Sequence, residues 1–132
     1  MRHPSLVKWE KKLKKALDEL DDFLEDKYEG RYRLHPVRSG RGKTSSKAHD
    51  GLFDIVAKFT LGAGSQFGRG YIVDVDVATL EDIPQKVQKE IEDEALKKLR
   101  ETIPKYFPDT DLRVDKDGKV IKIHGDLSLG TL

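Results

Sequence analysis

The sequence predicts an α+β domain. It reads as a two-layer sandwich in which a largely antiparallel sheet of about five strands carries two helices on one face, in the order α-β-β-β-α-β-β. Three observations predict it. Residues 51–78, GLFDIVAKFTLGAGSQFGRGYIVDVDVA, alternate apolar and polar side chains on both sides of a glycine-rich loop. Two segments, 5–28 and 79–104, repeat apolar residues at helical spacing. A second alternating pair, in DLRVDKDGKVIKIHG, turns at Asp117-Gly118, a dipeptide suited to tight hairpins.

In the central hairpin Phe53, Ile55, Ala57, Phe59 and Leu61 share one face, as do Tyr71, Val73, Val75 and Val77. A loop over Gly62–Gly70 pairs Leu61 with Tyr71, Phe59 with Val73, Ala57 with Val75 and Ile55 with Val77. Lys58 then falls opposite Asp74. A slip of one residue would turn every apolar side chain to the wrong face.

The first helix is expected over residues 5–28, capped by Ser5 and ended by Gly30. Leu6, Trp9, Leu13, Ala16, Leu17, Leu20, Phe23 and Leu24 form its apolar stripe. Its charges are split. Lys8, Lys11, Lys12, Lys14 and Lys15 precede Asp18, Glu19, Asp21, Asp22, Glu25 and Asp26, which opposes the helix dipole. Pairs Lys14–Asp18 and Lys15–Glu19 offset part of this. Either half is a candidate docking face for a partner.

RYRLHPV at 31–37 predicts a short strand with Tyr32 and Leu34 inward and Pro36 at its end. A loop follows. From Arg31 to His49 the chain carries Arg31, Arg33, Arg38, Arg41, Lys43 and Lys47 and no acid. Gly42-Lys43-Thr44 lacks the remaining P-loop features, because Val37 stands where the first glycine belongs and a strand follows where a helix should open.

The hairpin loop LGAGSQFGRGY resembles the glycine-rich loop of protein kinases, with one extra residue between Gly64 and Phe67. The resemblance stops at this loop. No V-A-I-K strand, H-R-D or D-F-G segment follows. The physical point stands without the family, because glycines let backbone N–H groups approach an anion closely.

The second helix, with Thr79 and Asp82 as a weak capping box and Pro104 as its stop, buries Val87, Ile91, Ala95, Leu96, Leu99 and Ile103. Asp93–Lys97 and Glu94–Lys98 pairs suit its dipole. The second hairpin runs over 112–115 and 119–124, and the closing DLSLGTL adds a short strand or covers a sheet edge. The helix-free face of the sheet is expected to draw on Arg31, Arg33, His35, Asp54, Lys58, Asp74, Asp76, Arg113, Lys122 and His124.

The 132 residues read as a single α+β domain over 1–132. Charged residues make up 37%, yet the apolar residues recur with period, which indicates a folded chain and not a disordered one. A formal net charge of +1 gives no global field for nucleic acid. With no cysteine, disulfides, thiolate metal sites and a cysteine nucleophile are excluded. No apolar run approaches the roughly 18 residues of a membrane span. The opening MRHPSLVKWEKK lacks the apolar core of a signal peptide, so cytoplasmic location and no membrane association are expected.

The sequence does not determine a function. The leading expectation is a non-enzymatic module that binds a polyanion, either nucleic acid or a phosphate-bearing ligand. The binding residues would come from the basic loop 38–47 and the hairpin loop 62–70: Arg31, Arg33, Arg38, Arg41, Lys43, Lys47, Gly62, Gly64, Gly68 and Arg69. An alternative is a protein-interaction or assembly subunit (homo-oligomer), with Phe67 as its anchor. A third is a metal-assisted or acid–base hydrolase. Its catalytic candidates are His49 with Asp50 and His124 with Asp126, and its metal candidates are Asp74 and Asp76, two apart on one strand. No cofactor is expected.

Overall fold

A computed structural model describes residues 4–62 and 66–127. The order is α1 (Pro4–Tyr28), β1 (Phe53–Thr60), β2 (Gly70–Val77), α2 (Gln85–Tyr106), β3 (Leu112–Asp117) and β4 (Val120–Gly125), with one 3-10 turn at Lys47–His49. The four strands form one antiparallel sheet in the order β1-β2-β4-β3. The cap expected of Ser5, the glycine at 64 and the residues from 128 onward lie outside what is described.

The core lies between the helices and one face of the sheet. From α1 it takes Trp9, Leu13, Ala16, Leu20, Leu24 and Tyr28, and from α2 Ile91, Ala95, Leu99 and Ile103. The strands supply Phe53, Ile55, Val73, Val114, Ile121 and Ile123. These are the positions that helical spacing and strict alternation assign to the inner side. Rings tie the layers together. Trp9 stacks on Tyr71 at 4.8 Å, and Tyr28 meets Phe53 edge-on at 5.9 Å.

Several expectations need correction. The sheet has four strands, because 31–37 is a loop. Its backbone meets the chain only just beyond β2, where His35 N–H donates to the Ala78 carbonyl at 2.8 Å. Pro36 and the charged side chains leave this segment no ladder to join.

The central hairpin is paired two residues away from the expected register. Phe59 faces Tyr71, Ala57 faces Val73, Ile55 faces Val75 and Phe53 faces Val77. An even shift keeps every side chain on its expected face. It changes the partners on the open face, however: Lys58 faces Ile72, and Asp54 faces Asp76.

Finally, Thr79 does not cap α2. Its hydroxyl accepts the Glu81 N–H at 3.1 Å, and the helix opens after Pro84. Pro104 lies within the last turn rather than ending it, and the Phe107 N–H closes the helix on the Ile103 carbonyl. The helix acids also pair elsewhere, Glu94 with Lys27 and Glu92 with Lys116.

Candidate functional site

The split charge of α1 finds a local partner. The basic loop folds against the acidic half of the helix. Arg41 reaches Asp26 at 2.9 Å and Asp22 at 3.3 Å, and Lys47 reaches Asp22 at 2.9 Å. The bond from Lys47 above all, and that from Arg41, hold the Asp22 carboxyl below the usual carboxylate range. Arg38 turns inward, donating to the carbonyls of Asp50, Gly51 and Phe53 at 3.0–3.1 Å.

The other cations of the expected anion site are dispersed. The Arg31 guanidinium sits 4.9 Å from the Tyr28 ring. Arg33 donates its backbone N–H to Glu81. Lys43 is exposed in the loop.

Phe67 and Gly68 of the hairpin loop lie over the open face of the sheet. Phe67 lies on the His124 ring at 4.6 Å, and the Gly68 carbonyl accepts from the ammonium of Lys122. Lys122 is fully buried, 4.0 Å from the Asp117 carboxylate. The loop therefore uses its aromatic and a carbonyl internally. Arg69 remains exposed at its end.

His124 is held by Asp115, not through the expected pair with Asp126. Its Nε2 lies 2.7 Å from Asp115 Oδ2, and Arg100 binds the other oxygen of the same carboxylate at 2.9 Å. The His124 bond first, then Arg100, lower the Asp115 pKa. Asp126 lies beyond β4, its N–H donating to the Asp111 carbonyl. His49 is exposed on the 3-10 turn, whereas Asp50 is buried and accepts from Thr44.

A lowered carboxyl pKa stabilises the fold above the unfolded pKa, and that contribution is lost as pH falls through the folded value. Asp115→Ala is therefore expected to cost about 1 kcal/mol near neutral pH. The cost should shrink in acid. Urea unfolding at both pH values measures it, and an equal cost at both would contradict the assignment.

Two surfaces of opposite charge lie at the two ends of β2. At its C-terminal end a groove of about 510 Å³ is lined by Asp74, Asp76, Glu81, Asp82 and Glu92, with Lys119. Burial, then Asp74 and Asp54, raise the Asp76 pKa. Among the described residues no group of three or more histidines and carboxylates is arranged to hold a metal ion.

At the N-terminal end of β2 a groove of about 400 Å³ is lined by Leu6, Trp9, Glu10, Phe59, Arg69, Tyr71 and Leu127. Phe59 is 52% exposed and the adjoining Leu61 80% exposed. On the first half of α1 beside it, Lys8, Lys11, Lys12 and Lys15 are exposed. Among the described residues these four form no ion pair, while Lys14 binds Asp18 at 3.1 Å.

Residues 4–125 match the model of a protein family described as "Uncharacterised protein". The chain belongs to that family. A relative from Borreliella burgdorferi, described in the same words, is 36% identical over 107 residues, spanning 81% of this chain and 84% of the relative. No solved structure matches the chain. Among the described residues no helix is long and apolar enough to cross a membrane.

Proposed function

We propose that this chain is a non-enzymatic binding module for a polyanion, with single-stranded nucleic acid as the ligand. The binding surface we assign is the lysine-bearing first half of α1, continued by Arg69 and the exposed ring of Phe59. The observation that carries the reading is the internal neutralisation of the acidic half of α1 by Arg41 and Lys47. Once those charges are paired, Lys8, Lys11, Lys12 and Lys15 remain as a concentrated cationic surface at the positive end of the helix dipole. An exposed aromatic beside a row of cations is the chemistry that accepts a flexible strand: cations take the phosphates and a ring takes a base. The loop 38–47 contributes to this reading by shielding acids. Lys43 is its one exposed cation without an ion pair among the described residues.

Two further observations favour binding over catalysis. Phe67 covers His124, and the carboxylate beside that histidine is already shared with Arg100.

Titration of labelled single-stranded RNA and DNA at low and moderate salt tests the reading. The wild-type chain is expected to bind with a steep salt dependence. Lys8→Glu/Lys11→Glu/Lys15→Glu should weaken binding at least about tenfold and reduce the salt slope by about 2, three phosphate contacts being removed from a single strand. Lys43→Glu should have a small effect. No binding at low salt ends the proposal; loss through Lys43→Glu alone would move the site to the loop.

A further inference from the structure

β1 is an edge strand, and the groups along its outer side point to a second copy of the same chain. The Ala78 N–H donates to the Leu52 carbonyl at 2.7 Å. The even-numbered residues of β1 therefore turn their backbone groups toward β2, and the odd-numbered ones turn theirs outward. Phe53 fits this, since its outward N–H binds Glu25 at 3.0 Å and its outward carbonyl binds Arg38 at 3.0 Å. Among the described residues nothing pairs with the outward groups of Ile55, Ala57 and Phe59. Strands left open in this way pair readily with another chain.

The side chains choose the occupant. On the open face β1 presents Asp54, Val56 and Lys58, and Val56 is itself exposed. Within the chain these charges are badly matched. Asp54 faces Asp76 and Lys58 faces Ile72, and among the described residues neither forms an ion pair. Like charges opposed across a ladder are unfavourable.

We propose that the chain forms a two-fold symmetric dimer in which β1 pairs antiparallel with β1 of a second copy, crossing at Val56. In that register Asp54 lies opposite Lys58 of the second copy, and the symmetry makes the same pair again. Ile55 and Ala57 exchange backbone hydrogen bonds with Ala57 and Ile55 of the second copy. Val56 meets itself at the axis, in the close position between hydrogen-bonded pairs.

The charges select this crossing point over its neighbours. Crossing at Ile55 or Ala57 leaves Asp54 and Lys58 opposite uncharged residues, whereas crossing at Asp54 or Lys58 sets like charges together. Crossing between residues sets an outward-facing position against an inward-facing one, and the ladder fails. The dimer would extend the four-stranded sheet across the axis and give Asp54 the cation its own chain withholds. This inference does not depend on the polyanion reading.

Sedimentation across the micromolar range, with far-ultraviolet circular dichroism as the check on folding, tests it. The wild-type chain is expected to sediment as a dimer. Lys58→Asp and Asp54→Lys should each weaken the dimer about tenfold or more, because two opposite-charge pairs become like-charge pairs. Asp54→Lys/Lys58→Asp together should restore it.

Because the chain has no cysteine, single introduced cysteines give a second readout in an otherwise unchanged chain. Val56→Cys should cross-link on mild oxidation, since its two Cα atoms would stand about 4.5 Å apart, within disulfide reach. Ala57→Cys should not. A monomeric wild type overturns the proposal, as do single charge variants that leave the dimer intact or Ala57→Cys cross-linking in place of Val56→Cys.

Discussion

Replacing Asp21 with Asn is expected to stabilise the folded chain at pH 8 by about 2 kcal/mol and to change it little near pH 4. Asp21 lies on α1 with 4% of its surface exposed, and among the described residues its Oδ2 has no hydrogen-bond partner. Burial, then the neighbouring charges of Glu25 and Asp22, push its carboxyl up to about 7 from 3.8, against the pull of Lys47.

The sign follows from proton counting. Between the two pKa values the folded state holds a proton that the unfolded state releases. Stability therefore falls as pH rises from about 4 to about 7, and the penalty stays constant above that. A shift of this size corresponds to about 4 kcal/mol at most. Water reaches the site beside the half-exposed Lys47 side chain and screens part of it, so about half is expected.

Asparagine keeps the shape, cannot ionise, and can donate to the nearby carboxylates. Urea unfolding at pH 4 and pH 8 measures the difference between the two chains. Equal stabilisation at both pH values would show that ionisation of Asp21 is not the source.

The same helix shows where sequence reasoning reached and where it stopped. Its apolar stripe placed Trp9, Leu13, Ala16, Leu20 and Leu24 in the core, because burial has the period of the helix. Its split charge was visible as an anomaly. The resolution was not visible, because Arg41 and Lys47 approach Asp26 and Asp22 through a loop whose path no local pattern encodes.

The central hairpin divides in a similar way. Alternation fixed which face each residue of β1 and β2 occupies, but a pattern of period two is blind to an even shift of register. The opposition of Asp54 to Asp76, on which the edge argument turns, could therefore be found only in three dimensions. The pairing of His124 with Asp115 was within reach. A turn at Asp117-Gly118 sets Asp115 opposite Lys122 and Arg113 opposite His124, so Asp115 and His124 become diagonal neighbours on one face. The segment at 31–37 misled because alternation is necessary for a strand and not sufficient: a partner edge is needed too, and Pro36 works against one.

Gly51→Ala is expected to destabilise the chain by about 3 kcal/mol or more, through the contact that closes the loop onto α1. Gly51 has φ of +74°, and a Cβ built on it would overlap the Glu25 carboxylate. That carboxylate is 2% exposed and accepts the Phe53 N–H that opens β1. An alanine pays first for the left-handed backbone, about 1–2 kcal/mol. It then displaces Glu25, leaving the buried Phe53 N–H without its acceptor, at about 1–3 kcal/mol.

Gly30→Ala separates the two terms. Gly30 also has positive φ, +81°, but its Cβ would meet nothing, so only the backbone cost of about 1–2 kcal/mol applies. Urea unfolding of the two variants should rank Gly51→Ala clearly below Gly30→Ala. Equal losses would mean that Glu25 moves aside at no cost. Because the loop that covers Asp22 and Asp26 starts and ends near this contact, a partly opened Gly51→Ala chain should also uncover those acids. Its affinity for a polyanion should then fall, although no lysine of α1 has been changed.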